Sequence, residues 1–483
     1  MNFAQKLFNV LNDFPSNESA IYSGSQSTTY SELEKKILST ISYLDTLEIS
    51  KNEYVGVLSN NSPEFVVLIF SLWLIDAIPV LINNRLLESE ISELLSVSGC
   101  KRIFISNELT SKYSSSVVDK IIFPFDNLSI KNDIYFNINL DNIALVIFTS
   151  GSTGKPKGVE ITFTNLVQSA LIGNQYFAHQ ENDRWLASLP FYHIGGFSII
   201  IRTFLLGATL IFPESLDIKH LANAINNIHP THVSLVSTQL KRLIESGISP
   251  NKELRRVLLG GGFIESSLIE SAIQNGWNVA KSFGATETCS FVSVLTPDQF
   301  FNRRESAGKA LPPNEILILD ENKNILPSGK TGEIVIKGNS VTKGYLNNPE
   351  ETEKKFSMGL YFTGDYGFLD DNGFLYVQAR RNDLISTGGE NVNPVEVETE
   401  LLKHPLINEV CVFSLMEQEW GQIIAAALVV NNNNNITLEE IKSFLKNKLA
   451  SFKHPKKILI VESLPKTELG KVQKEKLREM FKN

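Results

Sequence analysis

Apolar positions fall along the chain in two rhythms, short unbroken runs closed by glycines and longer stretches at helical spacing. Ile143-Ala-Leu-Val-Ile-Phe148 is an unbroken run of strand length, closed by the hydroxyl- and glycine-rich segment "TSGSTGKPKG" at 149–158. Arg256-Val-Leu-Leu259 runs in the same way into Gly260-Gly261-Gly262. Ser267–Gln274 then carries a helical pattern, and Asn278–Phe283 reads as the next strand. This alternation predicts βαβ units and a largely parallel sheet. Ligands of such folds gather beyond the carboxyl ends of the strands, where these glycine clusters fall. The most apolar stretch, Phe65–Ile75, is interrupted at Asp76 and Pro79. It is too short to span a bilayer and reads as a buried helix.

Near residue 380 the texture changes. Before it, Gly332–Gly338 and Gly373–Val377 look like short strands with turns. After it, Asn393 and Pro394 stand as N-cap and first residue of a helix with Glu396 at its third position. Thr437–Glu440 is a capping box opening another helix, expected to run to about Leu449, and the asparagines 431–435 form the loop between it and a strand at Ala425–Val430. The expected fold is therefore α/β. A large N-terminal domain, 1–382, carries parallel-rich sheets with flanking helices, and a small α+β C-terminal domain occupies 383–483.

Composition narrows the function. The chain has 483 residues, 42% of them hydrophobic and 20% charged, enough for two domains with substantial cores. Its net charge of −8 argues against nucleic-acid binding, so any polyanionic ligand must be met by local positive groups. Cys100, Cys289 and Cys411 lie far apart with no CxxC spacing, which fits a reducing cytoplasm. The start lacks a basic segment followed by an apolar core, so no secretory leader is expected. No membrane insertion is expected, and a homo-oligomer is compatible with the sequence.

The segment 149–158 combines close-approach glycines with backbone NH groups, hydroxyls and lysines, all of which favour anionic oxygens. It is either a surface turn or a phosphate grip. It is not a Walker loop, because the position five after Gly151 is Pro156, and Gly260–Gly262 continues as Phe-Ile-Glu, not as a dinucleotide fingerprint. Four further segments carry candidate chemistry: "SFGATET" (282–288), "YFTGD" (361–365), "ARRNDLISTGGEN" (379–391) and "LPKTELGK" (464–471). Singly, each could be a turn or a solvated charge. In this order and spacing they are specific.

The set resembles the adenylate-forming superfamily of acyl-CoA synthetases, adenylation domains and luciferases, from Asn61 to Lys471. Within it, "LPFYHIGGFSIIIR" (189–202), "LLGGG", "SFGATETCS" and "GGENVNP" look most like the o-succinylbenzoate–CoA ligases of menaquinone synthesis. The resemblance implies an acyl-adenylate formed from a small carboxylic acid and ATP, then a thioester formed with coenzyme A. It implies that Thr149, Ser150, Gly151, Ser152, Thr153, Gly154, Lys155 and Lys157 hold the β- and γ-phosphates. Thr286 would touch the α-phosphate and Glu287 would hold Mg2+. Gly260, Gly261, Gly262, Phe283 and Gly284 would line the adenine slot, and Asp365 and Arg380 the ribose. Lys471 would bridge the substrate carboxylate and the α-phosphate. The C-terminal domain would be mobile, turning about Asp383 so that Gly388-Gly389 replaces Lys471 and borders the pantetheine tunnel. His193 matches the position that gates that tunnel, or is a packed core histidine.

Two departures concern the hinge region, where Ala379 stands for a frequent glycine and Ser386 for a frequent lysine. A third, Phe291, stands where such ligases often have glutamine and bears on the acyl pocket. Arg202 interrupts an apolar run, where an unpaired charge is costly. It is either half of a buried ion pair or the counter-charge for a second carboxylate on the substrate. The alternatives are an aromatic or medium-chain acyl-CoA synthetase, an enzyme that loads a carrier protein, and a nucleotide sensor without turnover. Intact Glu287, Asp365, Arg380 and Lys471 argue against the last.

Overall fold

A computed structural model describes residues 17–86, 88–114, 118–125, 139–150, 156–261, 264–380, 385–387, 390–392, 394–417, 421–431, 436–446, 448–449, 451–467 and 470–481. The chain forms two compact units, one of residues 1–316 with 336–362, the other of 317–335 with 363–483. The boundary read from the sequence, 382/383, falls within the second.

Two sheets build the first unit. In one, Ile143–Ser150, Ile78–Ile82, Tyr54–Leu58, Arg102–Ser106 and Asp119–Phe123 run parallel in that order. Pro156–Thr162 and then Gly344–Tyr345 extend it antiparallel beyond Ile143–Ser150. In the other, Val279–Ala285, Arg256–Leu259, His232–Leu235, Arg184–Leu186, Thr209–Phe212 and Ser19–Ser23 are parallel neighbours. The expected strand at 278–283 thus runs two residues further, and the helix after the triple glycine spans Ser266–Gln274.

One hydrophobic core joins the sheets, drawing Ala144, Leu145 and Ile147 from the first and Trp185, Leu210 and Leu258 from the second. The helix Pro63–Leu74 lies in this core, buried from Phe65 through Trp73 as its strongly apolar composition, broken there only by Ser71, predicts. Ser62 caps it by accepting from the Phe65 NH, with Pro63 at the first helical position. Trp73 packs edge-on against Phe163 at 5.2 Å and Phe197 at 6.0 Å, and its indole NH donates to the Ala144 carbonyl at 2.6 Å.

The second unit contains a C-terminal sheet in the order Glu390–Val392, Ile385–Thr387, Gly421–Val430, Ile407–Glu417, with Lys457–Ile460 parallel to Gly421–Val430. Helices Pro394–Leu401 and Leu438–Leu445 cover one face through Val397, Leu401, Ile441 and Leu445, and Lys474–Met480 packs Leu477 into a second small core. The capping box at Thr437 and Glu440 forms as expected, but the helix ends at Leu445, after which the Lys448 and Leu449 NH groups both turn back to the Leu445 carbonyl. The expected N-cap Asn393 lies outside the described residues.

A buried polar knot sits where the central strands Arg184–Leu186 and His232–Leu235 of the second sheet begin. Asp183, 2% exposed, accepts from the Gln180 NH at 2.8 Å and from Arg255, and His179 Nδ1 lies 3.3 Å away. Burial opposes its charge, yet these donors hold its carboxyl well below the usual range. Fully buried His232 stacks on Trp185 at 4.5 Å and donates from Nε2 to the Phe177 carbonyl at 3.1 Å. Nδ1 is left as an acceptor 2.8 Å from Thr231 Oγ1. Asp183 lies 3.8 Å away and favours a charged ring, but burial outweighs it and pulls His232 down to about 4. Between about pH 6.5 and 4 the unfolded chain therefore binds a proton that the folded chain refuses. The stability from this histidine is complete above about pH 6.5 and disappears as the pH falls to 4. His232→Gln should flatten the loss of unfolding free energy across that window by about 3 kcal/mol relative to wild type. Denaturant unfolding at a series of pH values checks this, and parallel pH profiles for the two proteins would contradict it.

Candidate active site

The strand Ile143–Ser150 leaves the core at Thr149, and Pro156–Thr162 returns beside it with Thr149 opposite Lys157 and Ser150 opposite Pro156. Residues 151–155, with the expected phosphate contacts Gly151, Ser152, Thr153, Gly154 and Lys155, lie outside the described residues. The ends of that segment are held together by the hairpin register. Lys157 is 9% exposed and pairs with Glu351 at 2.5 Å, with its ammonium 5.5 Å above the Tyr345 ring.

Strand Val279–Ala285 carries Phe283 and Gly284 and ends in a single turn, Thr286–Thr288, before the chain reverses into Ser290–Leu295. The reversal is sharp: Cys289 and Ser290 both have positive φ, and a Cβ on Gly284 would stand 2.1 Å from the Ser290 carbonyl oxygen. Ser169 of helix Phe163–Phe177 donates to the Cys289 carbonyl and anchors the turn to the core. The turn presents Thr286 and Glu287. Tyr345 donates its hydroxyl to Glu287 Oε1 at 2.8 Å, and the Thr342 NH donates to the Glu287 carbonyl at 2.9 Å. Asn165 holds the same 339–342 segment by donating to the Asn339 and Val341 carbonyls, each at 2.9 Å. Glu287 and the base of the 149–158 segment are thus brought together through Tyr345.

Gly260 and Gly261 follow strand Arg256–Leu259, the parallel neighbour of Val279–Ala285. Ser282 Oγ donates to the Leu259 carbonyl, and a Cβ on Gly260 would lie 2.7 Å from that hydroxyl. A side chain at Gly260 would therefore collide with the Ser282 hydroxyl. Gly262 lies outside the described residues.

His193 begins the helix Ile194–Leu206, with Tyr192 edge-on to it at 4.7 Å. Burial, reinforced by the charge of Arg85, pulls the imidazole down to about 4, so it is neutral near pH 7. Two turns along the helix, Arg202 is 2% exposed. Its Nε donates to the Ser198 carbonyl at 2.9 Å and one terminal nitrogen donates to Ser198 Oγ, while Nη1 is buried without a partner. The rings of Phe177, Trp185 and Phe291 surround the guanidinium at 5.0, 5.2 and 5.6 Å. Among the described residues no carboxylate lies within ion-pair distance of it. Burial pulls Arg202 down to about 9, which leaves it charged near neutral pH.

In the second unit, Asp365 and Arg380 are direct partners on adjacent antiparallel strands. The Asp365 NH bonds Thr363 Oγ1 at 3.0 Å, and Thr363 Oγ1 donates to the Ile334 carbonyl at 2.7 Å, which fixes the bend at Gly364. Only the backbone of Arg380 is described, and Asp383 and Gly389 lie outside the described residues. Lys471 closes an exposed turn in which the Thr467 NH bonds the Lys471 carbonyl at 2.7 Å and the Lys471 NH bonds Thr467 Oγ1 at 3.2 Å. A separate open cleft of about 520 Å3, lined by Tyr176, Arg256, Asp298 and Lys309 among others, contains none of the expected site residues.

Residues 7–346 match the AMP-binding enzyme family, and residues 396–471 match the AMP-binding enzyme C-terminal domain. The chain belongs to the AMP-binding enzyme family. Its curated relatives include a 2-succinylbenzoate–CoA ligase of a Geobacillus species, 34% identical over 471 residues, covering 96% of this chain and 95% of the relative. Another, from Listeria innocua, is 35% identical with 97% of each chain covered. Among solved structures it is similar to an o-succinylbenzoate CoA synthetase from Bacillus subtilis in complex with the acyl-adenylate intermediate, with TM-score 0.89, 32% identity, and 99% of this chain and 98% of that one covered. The same synthetase with ATP and magnesium ion matches with TM-score 0.90 at 31% identity, over 99% of both chains.

In this AMP-binding enzyme, no group of three or more His, Cys, Asp or Glu suited to a metal occurs among the described residues. Glu287, with one oxygen accepting from Tyr345, still offers a second. A cation held by this single carboxylate would draw its remaining ligands from phosphate and water, as Mg2+ does. Of the rings around Arg202 the sequence singles out Phe291 alone, and it does not single out Phe177, Trp185 or Tyr345. A tyrosine 58 positions from its glutamate carries no local signal.

Proposed function

We propose that this chain is an AMP-forming carboxylic acid–CoA ligase that converts o-succinylbenzoate to o-succinylbenzoyl-CoA. The observation that carries the choice of acid is Arg202, a buried guanidinium with an unpaired nitrogen and no carboxylate partner among the described residues. Such a charge is costly until an anion meets it. The ring carboxylate of o-succinylbenzoate supplies one, while the aliphatic carboxylate is left for activation. The three rings cover the guanidinium, so the acid reaches it only as one of them turns aside. Kinship over nearly the whole chain with 2-succinylbenzoate–CoA ligases supports the same reading.

In the first half-reaction an oxygen of the aliphatic carboxylate attacks the α-phosphorus of ATP, and the bond to pyrophosphate breaks. In the second, the thiol sulfur of CoA attacks the acyl carbon, AMP departs with the bonding electrons, and the thiol proton passes to solvent. On this reading residues 149–158 hold the terminal phosphates, and Gly260–Gly262, Phe283 and Gly284 border the adenine. Thr286 bonds the α-phosphate, and Asp365 with Arg380 holds the ribose. Glu287 holds Mg2+, which neutralises phosphate charge when bound. Lys471 offsets the charge that grows between carboxylate and α-phosphate. Rotation about Asp383 then withdraws Lys471 and brings up Gly389, and neutral His193 borders the thiol's path.

Lys471→Ala should lower adenylate formation by roughly 10²–10³-fold and leave thioester formation from preformed acyl-adenylate largely intact. Single-turnover assays of each half-reaction check this, and equal losses in both would contradict the division of labour. Arg202→Leu should raise KM for o-succinylbenzoate by roughly ten- to a hundredfold and spare KM for ATP, because a hydrogen bond to a charged group is worth about 1.5–3 kcal/mol. Monocarboxylic analogues should lose little. A variant that is destabilised in thermal melts but discriminates between the acids as before would make Arg202 a fold residue.

A further inference from the structure

Tyr345 occupies a position that neither the phosphate segment nor the Glu287 turn explains alone. It lies on the two-residue strand Gly344–Tyr345, opposite Val159 on the strand that leaves the 149–158 segment, and the Leu346 NH bonds the Gly158 carbonyl at 2.7 Å. Its own NH bonds Thr352 Oγ1 at 2.9 Å. The ring is 5% exposed, edge-on to Phe356 at 5.5 Å, with the Lys157 ammonium 5.5 Å above it. Lys157 is itself fixed by Glu351, on the helix Pro349–Lys355 that follows. Backbone, ring face and ring edge are all held, and the hydroxyl emerges 2.8 Å from Glu287 Oε1.

A phenol carries one hydrogen. An ordinary phenol keeps that hydrogen at neutral pH, and a carboxylate oxygen can only accept it, so the hydroxyl is the donor. It engages one carboxylate oxygen and leaves the other in a fixed direction. A glutamate on a one-turn reversal, with three rotatable side-chain bonds, has no comparable restraint of its own.

We propose that Tyr345 is a positioning residue that locks the Glu287 carboxylate to the exit strand of the phosphate segment, so that metal and terminal phosphates are met by a single preassembled unit. The proposal rests on the reading of Glu287 as the Mg2+ ligand. Outer partners of metal ligands typically change metal affinity by about ten- to a hundredfold when removed. Tyr345→Phe keeps the ring, its packing and its contact with Lys157, and removes only the hydroxyl.

The test is calorimetric titration of ATP into wild type, Tyr345→Phe and Glu287→Gln over a range of Mg2+ concentrations, with AMP in the absence of Mg2+ as reference. Tyr345→Phe should weaken Mg2+-dependent ATP binding about tenfold, shift the half-saturating Mg2+ concentration upward by a similar factor, and recover at high Mg2+. Its AMP affinity and melting temperature should match wild type. A structural role alone would weaken AMP and ATP together and lower the melting temperature, which would overturn the proposal. Wild-type Mg2+ dependence in Tyr345→Phe, with a clear defect in Glu287→Gln, would overturn the positioning role and keep the metal assignment. Wild-type Mg2+ dependence in Glu287→Gln would overturn both.

Discussion

A guanidinium buried among aromatic rings, with no carboxylate partner among the described residues, is the constraint from which the proposed selectivity follows. Arg202 cannot shed its proton near neutral pH, and among the described residues its hydrogen bonds go to Ser198, one turn back on the same helix. The faces of Phe177, Trp185 and Phe291 offset part of the desolvation. They supply no net negative charge, so the guanidinium stays without a counter-ion among the described residues. On the proposed reading, a dicarboxylic acid meets that need and a fatty acid does not.

The frame around this pocket is rigid for reasons unrelated to substrate. Trp185 is pinned by its stack on His232, and His232 by the Phe177 carbonyl and the knot at Asp183. The same histidine that sets an acid limit on stability thereby fixes two of the three rings beside Arg202. On the nucleotide side the restraint is of another kind. Strand pairing, a packed tyrosine ring and the Lys157–Glu351 pair hold Glu287 in register with the phosphate segment. Hydrogen bonds to a charged carboxylate are short and directional, which suits a site that must hold multiple phosphate charges at once.

Much of the frame was legible along the chain because it depends on local pattern. The strongly apolar helix at 63–74, the strands that run into glycine clusters, and the capping box at Thr437 are all written within a few residues. Boundaries were less legible. The last helix before the C-terminal strand stops at Leu445, where the chain turns back on the Leu445 carbonyl, although the following residues keep helical character. For Arg202 the sequence left two readings open, and the absence of a carboxylate neighbour among the described residues removes support for the ion pair. What could not be read are contacts joining distant segments. Phe177, Trp185, Arg202 and Phe291 meet only after one sheet and two helices are assembled, and Tyr345 finds Glu287 from a different part of the chain.

The most direct measurement of the central claim is mass-spectrometric product analysis of the purified protein with ATP, Mg2+, CoA and either o-succinylbenzoate or its analogue lacking only the ring carboxylate. The account predicts o-succinylbenzoyl-CoA formed together with equimolar AMP and pyrophosphate, and a much smaller kcat/KM for the monocarboxylic analogue. Equal turnover of the two acids, or AMP formation with no CoA thioester from o-succinylbenzoate, would contradict it.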